Sequence, residues 1–178
     1  MQEQQQESEQ EPKLKFEPLD KNKHDRAAFS CGVEPLDTYL KRQASQDIDK
    51  HVAAVIVLTP DGKTIAGYYT LSQYAIDLVT LPADTVKKLP KYPELPATLL
   101  GRLARSTAYR GQGIGELLLM GALKRALDQS SSIASMAVVV DAKDEQSKAF
   151  YVGYGFIELP DHPNRLFLLM KTIEQMFS

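Results

Sequence analysis

The alternation of apolar and polar positions divides the chain into short elements. Lys13-Leu14-Lys15-Phe16-Glu17-Pro18-Leu19 alternates with a period of two and predicts a first strand. Leu36, Tyr39, Leu40, Ala44 and Ile48 recur at helical spacing behind Pro35, which suits a first helical position, and predict an amphipathic helix to about residue 49. Residues 52–58 form a β-branched apolar run, Pro60-Asp61-Gly62 a turn, and residues 64–71 a returning strand, so a hairpin is expected. Residues 78–80 are expected as a short extra strand and residues 82–89 as one helical piece. Pro90, Pro93 and Pro96 then enforce an irregular, extended approach to a strand over 97–104. A helix over 116–127 follows, then a buried strand over 134–140. Asp144 is placed to cap a helix over 145–152, and Gly155 suits its left-handed end. Strands starting at 156–159 and over 165–170 close the order. This is an α/β chain, a mixed sheet with helices packed on its faces.

Length and charge add bounds to this picture. The 178 residues suffice for one domain with a real core. Residues 1–12 are Gln/Glu-rich with almost nothing to bury, and are expected as a disordered acidic tail ahead of a domain over 13–178. The net charge is −2, which alone argues against a nucleic-acid partner. The tail carries Glu3, Glu7, Glu9 and Glu11, however. Setting these four aside leaves 21 basic residues against 19 acidic ones, so the folded part is mildly basic and compatible with a polyanion. Cys31 is the sole cysteine, which excludes an internal disulfide, fits a reducing cytoplasm, and reads as a small buried hydrophobe. His24, His51 and His162 lack metal-ligand spacing, so no metal site is expected. No run of eighteen apolar residues exists, and no apolar segment of a secretory leader opens the chain, so no membrane association is expected.

The chemistry is concentrated in Arg110-Gly111-Gln112-Gly113-Ile114-Gly115, between a predicted strand and a predicted helix. A glycine-rich turn at a helix start presents backbone N–H groups and the positive end of the helix dipole, which together favour phosphate oxygens. The stretch lacks the Gly-Lys-Ser/Thr end of a Walker loop. Its Gly-x-Gly-x-Gly spacing and late position do not fit a dinucleotide fingerprint. Two readings remain: an Arg-x-x-Gly-x-Gly pyrophosphate loop, or a glycine-rich turn that holds no ligand.

Arg110, Gly113 and Gly115 resemble the pyrophosphate loop of the GNAT superfamily of acetyl-CoA-dependent N-acetyltransferases. The likeness extends to Phe150-Tyr151 followed by Gly153-Tyr154-Gly155-Phe156, which is similar to the superfamily's last helix and its ending. Cys31-Gly32-Val33-Glu34-Pro35-Leu36-Asp37-Thr38-Tyr39-Leu40, Gly67-Tyr68-Tyr69-Thr70-Leu71-Ser72 and Leu99-Leu100-Gly101-Arg102-Leu103-Ala104 are more particular. Together they resemble the GNAT toxins of bacterial toxin–antitoxin pairs, over roughly residues 14–175. The resemblance implies the GNAT fold, a mostly antiparallel central sheet with helices on both faces. It further implies acetyl-CoA as acetyl donor, the α-amine of an aminoacyl-tRNA as acceptor, a block of translation, a small ribbon-helix-helix antitoxin as partner, and a homodimer. Arg105-Ser106 departs from the acidic or apolar ending of this strand in many relatives, which puts the electrostatics of the cleft in question.

On that resemblance the backbone from Gly111 through Gln112, Gly113 and Ile114 to Gly115 and Glu116 would hold the pyrophosphate, with Arg110 adding a charge-assisted contact. The strand edge at Leu103, Ala104 and Arg105 would pair with pantetheine amides, and one N–H there would face the developing oxyanion. Tyr151 is the expected proton donor to the leaving thiolate, against the alternative of a core tyrosine packed on its helix. No Asp, Glu or His stands out as a base. That absence favours an α-amine, whose pKa of about 7.7–8.0 leaves it partly neutral, over a lysine at about 10.4. Arg102 and Arg105 either line the acceptor side and meet RNA phosphate or form structural ion pairs. Lys41, Arg42, Lys87 and Lys88 are weaker phosphate contacts, equally readable as a solvated face. The sequence leaves two rivals open: a housekeeping N-acetyltransferase for a small amine or protein N-terminus, and a non-catalytic acyl-CoA-binding module.

Overall fold

The computed structural model describes residues 13–178. The acidic tail over 1–12 lies outside the described residues. Seven strands form one sheet in the order β1-β2-β3-β4-β5-β7-β6. They are β1 (Lys15–Pro18), β2 (Ala54–Thr59), β3 (Gly67–Asp77), β4 (Glu94–Arg105), β5 (Ala137–Asp141), β6 (Ile157–Leu159) and β7 (His162–Leu169). Only β4 and β5 pair in parallel. That connection needs a crossover, supplied by the long helix α4 (Ile114–Gln129).

Strand alternation sorts the side chains between two faces. Ile56 and Leu58 of β2, Tyr69 and Leu71 of β3, and Val138 and Val140 of β5 pack under α4, α5 (Glu145–Gly153) and α6 (Met170–Met176). Val55, Val57 and Tyr68 point the other way, under α1 (Glu34–Thr38) and α2 (Ala44–Asp49). Val139 and Phe167 share that second face with Leu81 and Leu95, and Val86 of α3 (Ala83–Val86) packs against them. The fold is therefore an α/β sheet, mostly antiparallel, with helices on both faces.

Several local expectations are refined. The predicted first helix is one continuous rod, but Tyr39–Gln43 between α1 and α2 is a π-helical turn. Such a turn fits one extra residue and re-aims those that follow. Strand β3 starts at Gly67 rather than at 64, because the Asp61 carboxylate accepts from the N–H groups of Lys63 and Thr64 and keeps both in the turn. Those bonds hold the Asp61 carboxyl down at about 2. Residues 78–80 are a 3-10 turn, not a strand: Leu78 N–H bonds Pro93 O, Leu81 N–H bonds Leu78 O, and the chain leaves the sheet. Strand β4 starts at Glu94 and includes Pro96. That position is tolerated because the β4–β5 ladder starts only at Thr98, and the bond made at Pro96 uses its carbonyl, which accepts from Met136 N–H, and not the N–H that proline lacks. Helix α6 was not expected. It is seven residues long and buries only Met170 and Ile173, too little for a visible periodicity.

Two irregularities in β4 shape the molecule. Register with β3 slips between Thr70 and Leu71: Arg102 opposes Thr70 and Leu100 opposes Leu71, so Gly101 is an extra residue. A Cβ at Gly101 would lie 3.1 Å from Thr70 Oγ1. Pairing with β5 also ends at Leu100–Val140, while β4 runs on to Arg105. From Gly101 onward β4 has one unpaired edge, and the sheet opens there.

Candidate functional site

The opening between β4 and β5 is a cavity of about 440 Å³. One wall is Leu103, Ala104 and Arg105 on the free edge of β4; Gly115 closes one end, and Gln146, Ser147, Phe150 and Tyr151 on α5 form the opposite wall. The remaining lining comes from Cys31, Val33 and Leu36 and from Lys143-Asp144. An unpaired strand edge facing a gap is a template for one more extended chain with amide groups.

At the end of the cavity the turn into α4 has the geometry its glycines predict. Gly111 and Gly113 adopt φ +74° and +70°, in the left-handed region, and Gly113 is the N-cap of α4. The first N–H of the turn and helix to reach a carbonyl is that of Leu117, at 3.1 Å from Gly113 O. The amides from Gly111 to Glu116 precede it and have no intrahelical partner. Gly115 is different. It sits inside the first turn, where alanine would be the better helix former, and a Cβ there would meet nothing within 4 Å. No protein atom requires this glycine; open space beside six orphan amides does fit a diphosphate. Ile114 is buried in the core and fixes the turn, so any contact it makes is through its backbone. Glu116 is exposed and faces Tyr154, whose phenol it pushes up after the larger effect of burial.

Tyr151 lines the cavity and is only 8% exposed. Its ring packs edge-on against Phe150 at 5.3 Å and Phe156 at 5.4 Å. Burial alone pushes its phenol up to about 12, so it is protonated throughout the physiological range. The ring belongs to the core, and the same side chain borders the cleft. The helix is held in place by Asp144, whose carboxylate caps it by accepting from Ser147 N–H and Oγ at 2.7 Å each. Those bonds lower the Asp144 pKa, which makes its carboxylate a poorer base. The Lys148–Glu158 pair, 3.0 Å apart, ties α5 to β6.

The structure brings Leu103, Ala104, Arg105, Gly115 and Tyr151 to one cavity. Arg110, Gly111, Gln112 and Gly113 are exposed beside it. Arg102 is engaged elsewhere. Its guanidinium lies 3.5 Å from the ring centroid of Tyr39, whose hydroxyl donates to the buried Asp47 at 2.8 Å. Lys41 and Arg42 are exposed on the π-helical turn, and Lys87 and Lys88 are exposed at the end of α3, with Lys87 3.9 Å from Asp84.

Sequence reasoning did not place Cys31, Val33, Leu36, Lys143, Gln146, Ser147 and Phe150 in the site. Ser147, Phe150 and Tyr151 follow one another at helical spacing, so this face of α5 was legible; the Cys31–Leu36 segment arrives by tertiary packing alone. Cys31 is half-buried in the cleft rather than inside the core, and burial with the Asp37 contact pushes its thiol up. Among the described residues no group of three His, Cys, Asp or Glu side chains gathers as a metal site, and no helix is long and apolar enough to cross a membrane.

Known proteins share the sequence pattern and the fold of this chain. The sequence profile of the Acetyltransferase (GNAT) family matches residues 23–156. A probable toxin TacT of Sinorhizobium fredii is 34% identical over 169 residues, covering 90% of this chain and 93% of that protein. A tRNA-acetylating toxin of Mycobacterium tuberculosis is 32% identical over 147 residues, covering 83% and 87%. Among solved structures, a tyrosine-to-phenylalanine mutant of KacT superposes with a TM-score of 0.85 at 33% identity, covering 92% of this chain and 99% of the other. AtaT complexed with acetyl-methionyl-tRNAfMet superposes with a TM-score of 0.84 at 30% identity, covering 93% and 100%.

Proposed function

The chain belongs to the GNAT acetyltransferase family, and from that premise we propose that it is a toxin that acetylates the α-amine of an aminoacyl-tRNA and so blocks translation. Acetyl-CoA supplies the acetyl group as an activated thioester. The observation that carries this reading is the meeting, in one cavity, of the free β4 edge, the open first turn of α4 and the Tyr151 phenol. The edge amides at Leu103, Ala104 and Arg105 hold and orient an extended arm. The amides from Gly111 to Glu116 and the dipole of α4 hold a diphosphate. Tyr151 keeps a proton at its hydroxyl, at the cavity wall, for a departing thiolate.

The acceptor follows from what the cavity lacks. Among the described residues its lining contains no histidine and one carboxylate, Asp144, whose pKa the cap bonds from Ser147 lower. With no base to strip an ammonium, the cleft suits an amine already partly neutral near pH 7, as an α-amine is. The curated relative named a tRNA-acetylating toxin and the AtaT complex with acetyl-methionyl-tRNAfMet support a charged tRNA as the carrier of that amine. Lys41, Arg42, Lys87 and Lys88 supply exposed cations for RNA phosphates, and Arg102, stacked on Tyr39, a further one. In this reading the protein acts in the cytoplasm as a homodimer. A ribbon-helix-helix antitoxin restrains it; AtaT bound to the C-terminus of its antitoxin AtaR supports a partner of that role.

Incubating the protein with acetyl-CoA and a pool of charged tRNAs, followed by mass spectrometry of the released aminoacyl adenosines, tests the proposal. An acetylated aminoacyl group is expected. Unmodified tRNA together with acetylated protein N-termini or small amines would replace the toxin reading with a housekeeping one. Induction in a bacterium should arrest growth only while the 110–115 turn is intact.

A further inference from the structure

Among the described residues one buried side-chain polar atom has no hydrogen-bond partner: Nε of Arg105. A buried donor left unpaired is costly, and such groups are rare in folded proteins. Arg105 also takes no part in the ion pairs of the described chain, which involve Lys23, His24, Lys87, Lys124, Lys148 and Arg165. A guanidinium is always charged, so this one is a cation waiting for an anion.

Its position narrows the choice of anion. Arg105 is the last residue of β4 and lines the same cavity as Gly115. By strand alternation its side chain is on the side of Leu103, which packs against the α4 cluster, and not on that of Ala104, which packs toward α1 and α2. It therefore stands on the face where α4 begins, in the same cavity as Gly115 of the turn. Among the described residues the only carboxylate of the cavity lining is Asp144, whose Oδ1 is taken by Ser147. Arg110, the cation that the Arg-x-x-Gly-x-Gly pattern singles out, is exposed, and a charge contact from an exposed side chain is screened by solvent.

We infer that the Arg105 side chain is the cationic contact to the diphosphate of acetyl-CoA, working with the turn amides, and that Arg110 is not. The inference rests on the acetyl-CoA reading of the cleft and assigns within it a role that the strand-edge backbone of Arg105 does not fill.

The test is calorimetric binding of coenzyme A and of pantetheine, which lacks the diphosphate, to the wild type and to R105M, R105K and R110M. One charge-assisted bidentate contact corresponds to about tenfold to hundredfold in affinity. R105M should weaken coenzyme A by that factor and leave pantetheine within about threefold. R105K should fall between, and R110M should stay near wild type. Raising salt should weaken wild-type binding more than that of R105M. Because the Nε has no protein partner to lose, R105M should melt close to the wild type. The inference is overturned by R105M binding coenzyme A like the wild type, by an equal loss on pantetheine, or by a collapse of the R105M melting temperature. If R105M does not fold, R105K decides by the same two ligands. Failure of the wild type to bind coenzyme A at all would instead remove the acetyl-CoA reading beneath it.

Discussion

Replacing Tyr151 by phenylalanine isolates the hydroxyl from the ring. The ring is what the core uses: it is packed edge-on to Phe150 and Phe156, and phenylalanine keeps both contacts. Burial is the sole cause of the raised phenol pKa, with no hydrogen bond or charge beside it, so the change removes no protein partner. Stability should therefore stay within about 1 kcal/mol of wild type. The chemical loss can be bounded. A phenol at about 12 facing a thiolate whose conjugate thiol has a pKa near 8.5 is uphill for full proton transfer by about 3.5 units, or about 4.8 kcal/mol. The hydroxyl thus assists chiefly as a hydrogen-bond donor to growing charge, and the proton moves late. General acids contribute about 10²–10⁴-fold; the uphill transfer places Tyr151 at the low end, near 10²-fold in kcat. The assay is release of free thiol from acetyl-CoA with charged tRNA, run beside a thermal melt and coenzyme A binding. A Y151F enzyme at the wild-type rate would refute the proton-donor role. A melt lowered by many degrees, with coenzyme A binding lost in parallel, would refute the division of labour between ring and hydroxyl.

Three further outcomes follow from the same geometry. The pH profile of kcat/KM should rise through the acceptor amine near 7.7–8.0 and show no descending limb below about pH 11, because a phenol raised to about 12 stays protonated across that range; a limb near pH 9 would contradict it. Gly115→Ala should split stability from affinity: melting temperature unchanged or raised, by about 0.5–1 kcal/mol of helix preference, and coenzyme A affinity down at least about tenfold as the new methyl fills the open first turn, both readable from melts and calorimetry. Gly67→Ala should cost both. Its Cβ would come within 2.7 Å of Leu118 Cδ1 and 2.9 Å of Ala104 O, so a loss of about 1–3 kcal/mol is expected in chemical denaturation, with coenzyme A affinity reduced because Ala104 belongs to the binding edge.

What could be read from the chain and what could not separate along a physical line. The 110–115 turn was legible because positive φ has so few residue choices: Gly111 and Gly113 take the left-handed conformations their spacing implies. The strands were legible where alternation is strong, as at Val138-Val139-Val140, whose side chains go to opposite faces. Asp144 and Gly155 were legible as ends of α5 because capping is local. The misplacements occur where a neighbour decides. Pro96 sits inside β4 since its carbonyl, not an N–H, meets the chain entering β5, at Met136; residues 78–80 leave the sheet since Pro93 supplies a carbonyl to Leu78. The same reason divides the two arginines. Arg110 carries the sequence pattern, but its exposure follows from the turn; Arg105 carries none, yet the splay of β4 from β5 sets it in the cavity wall with an unpaired Nε. Motif matching reports which backbone is present. Which side chain supplies the charge to that backbone depends on where a strand loses its partner, and that position is fixed by pairing across the sheet, at Leu100–Val140, not by any residue near the motif.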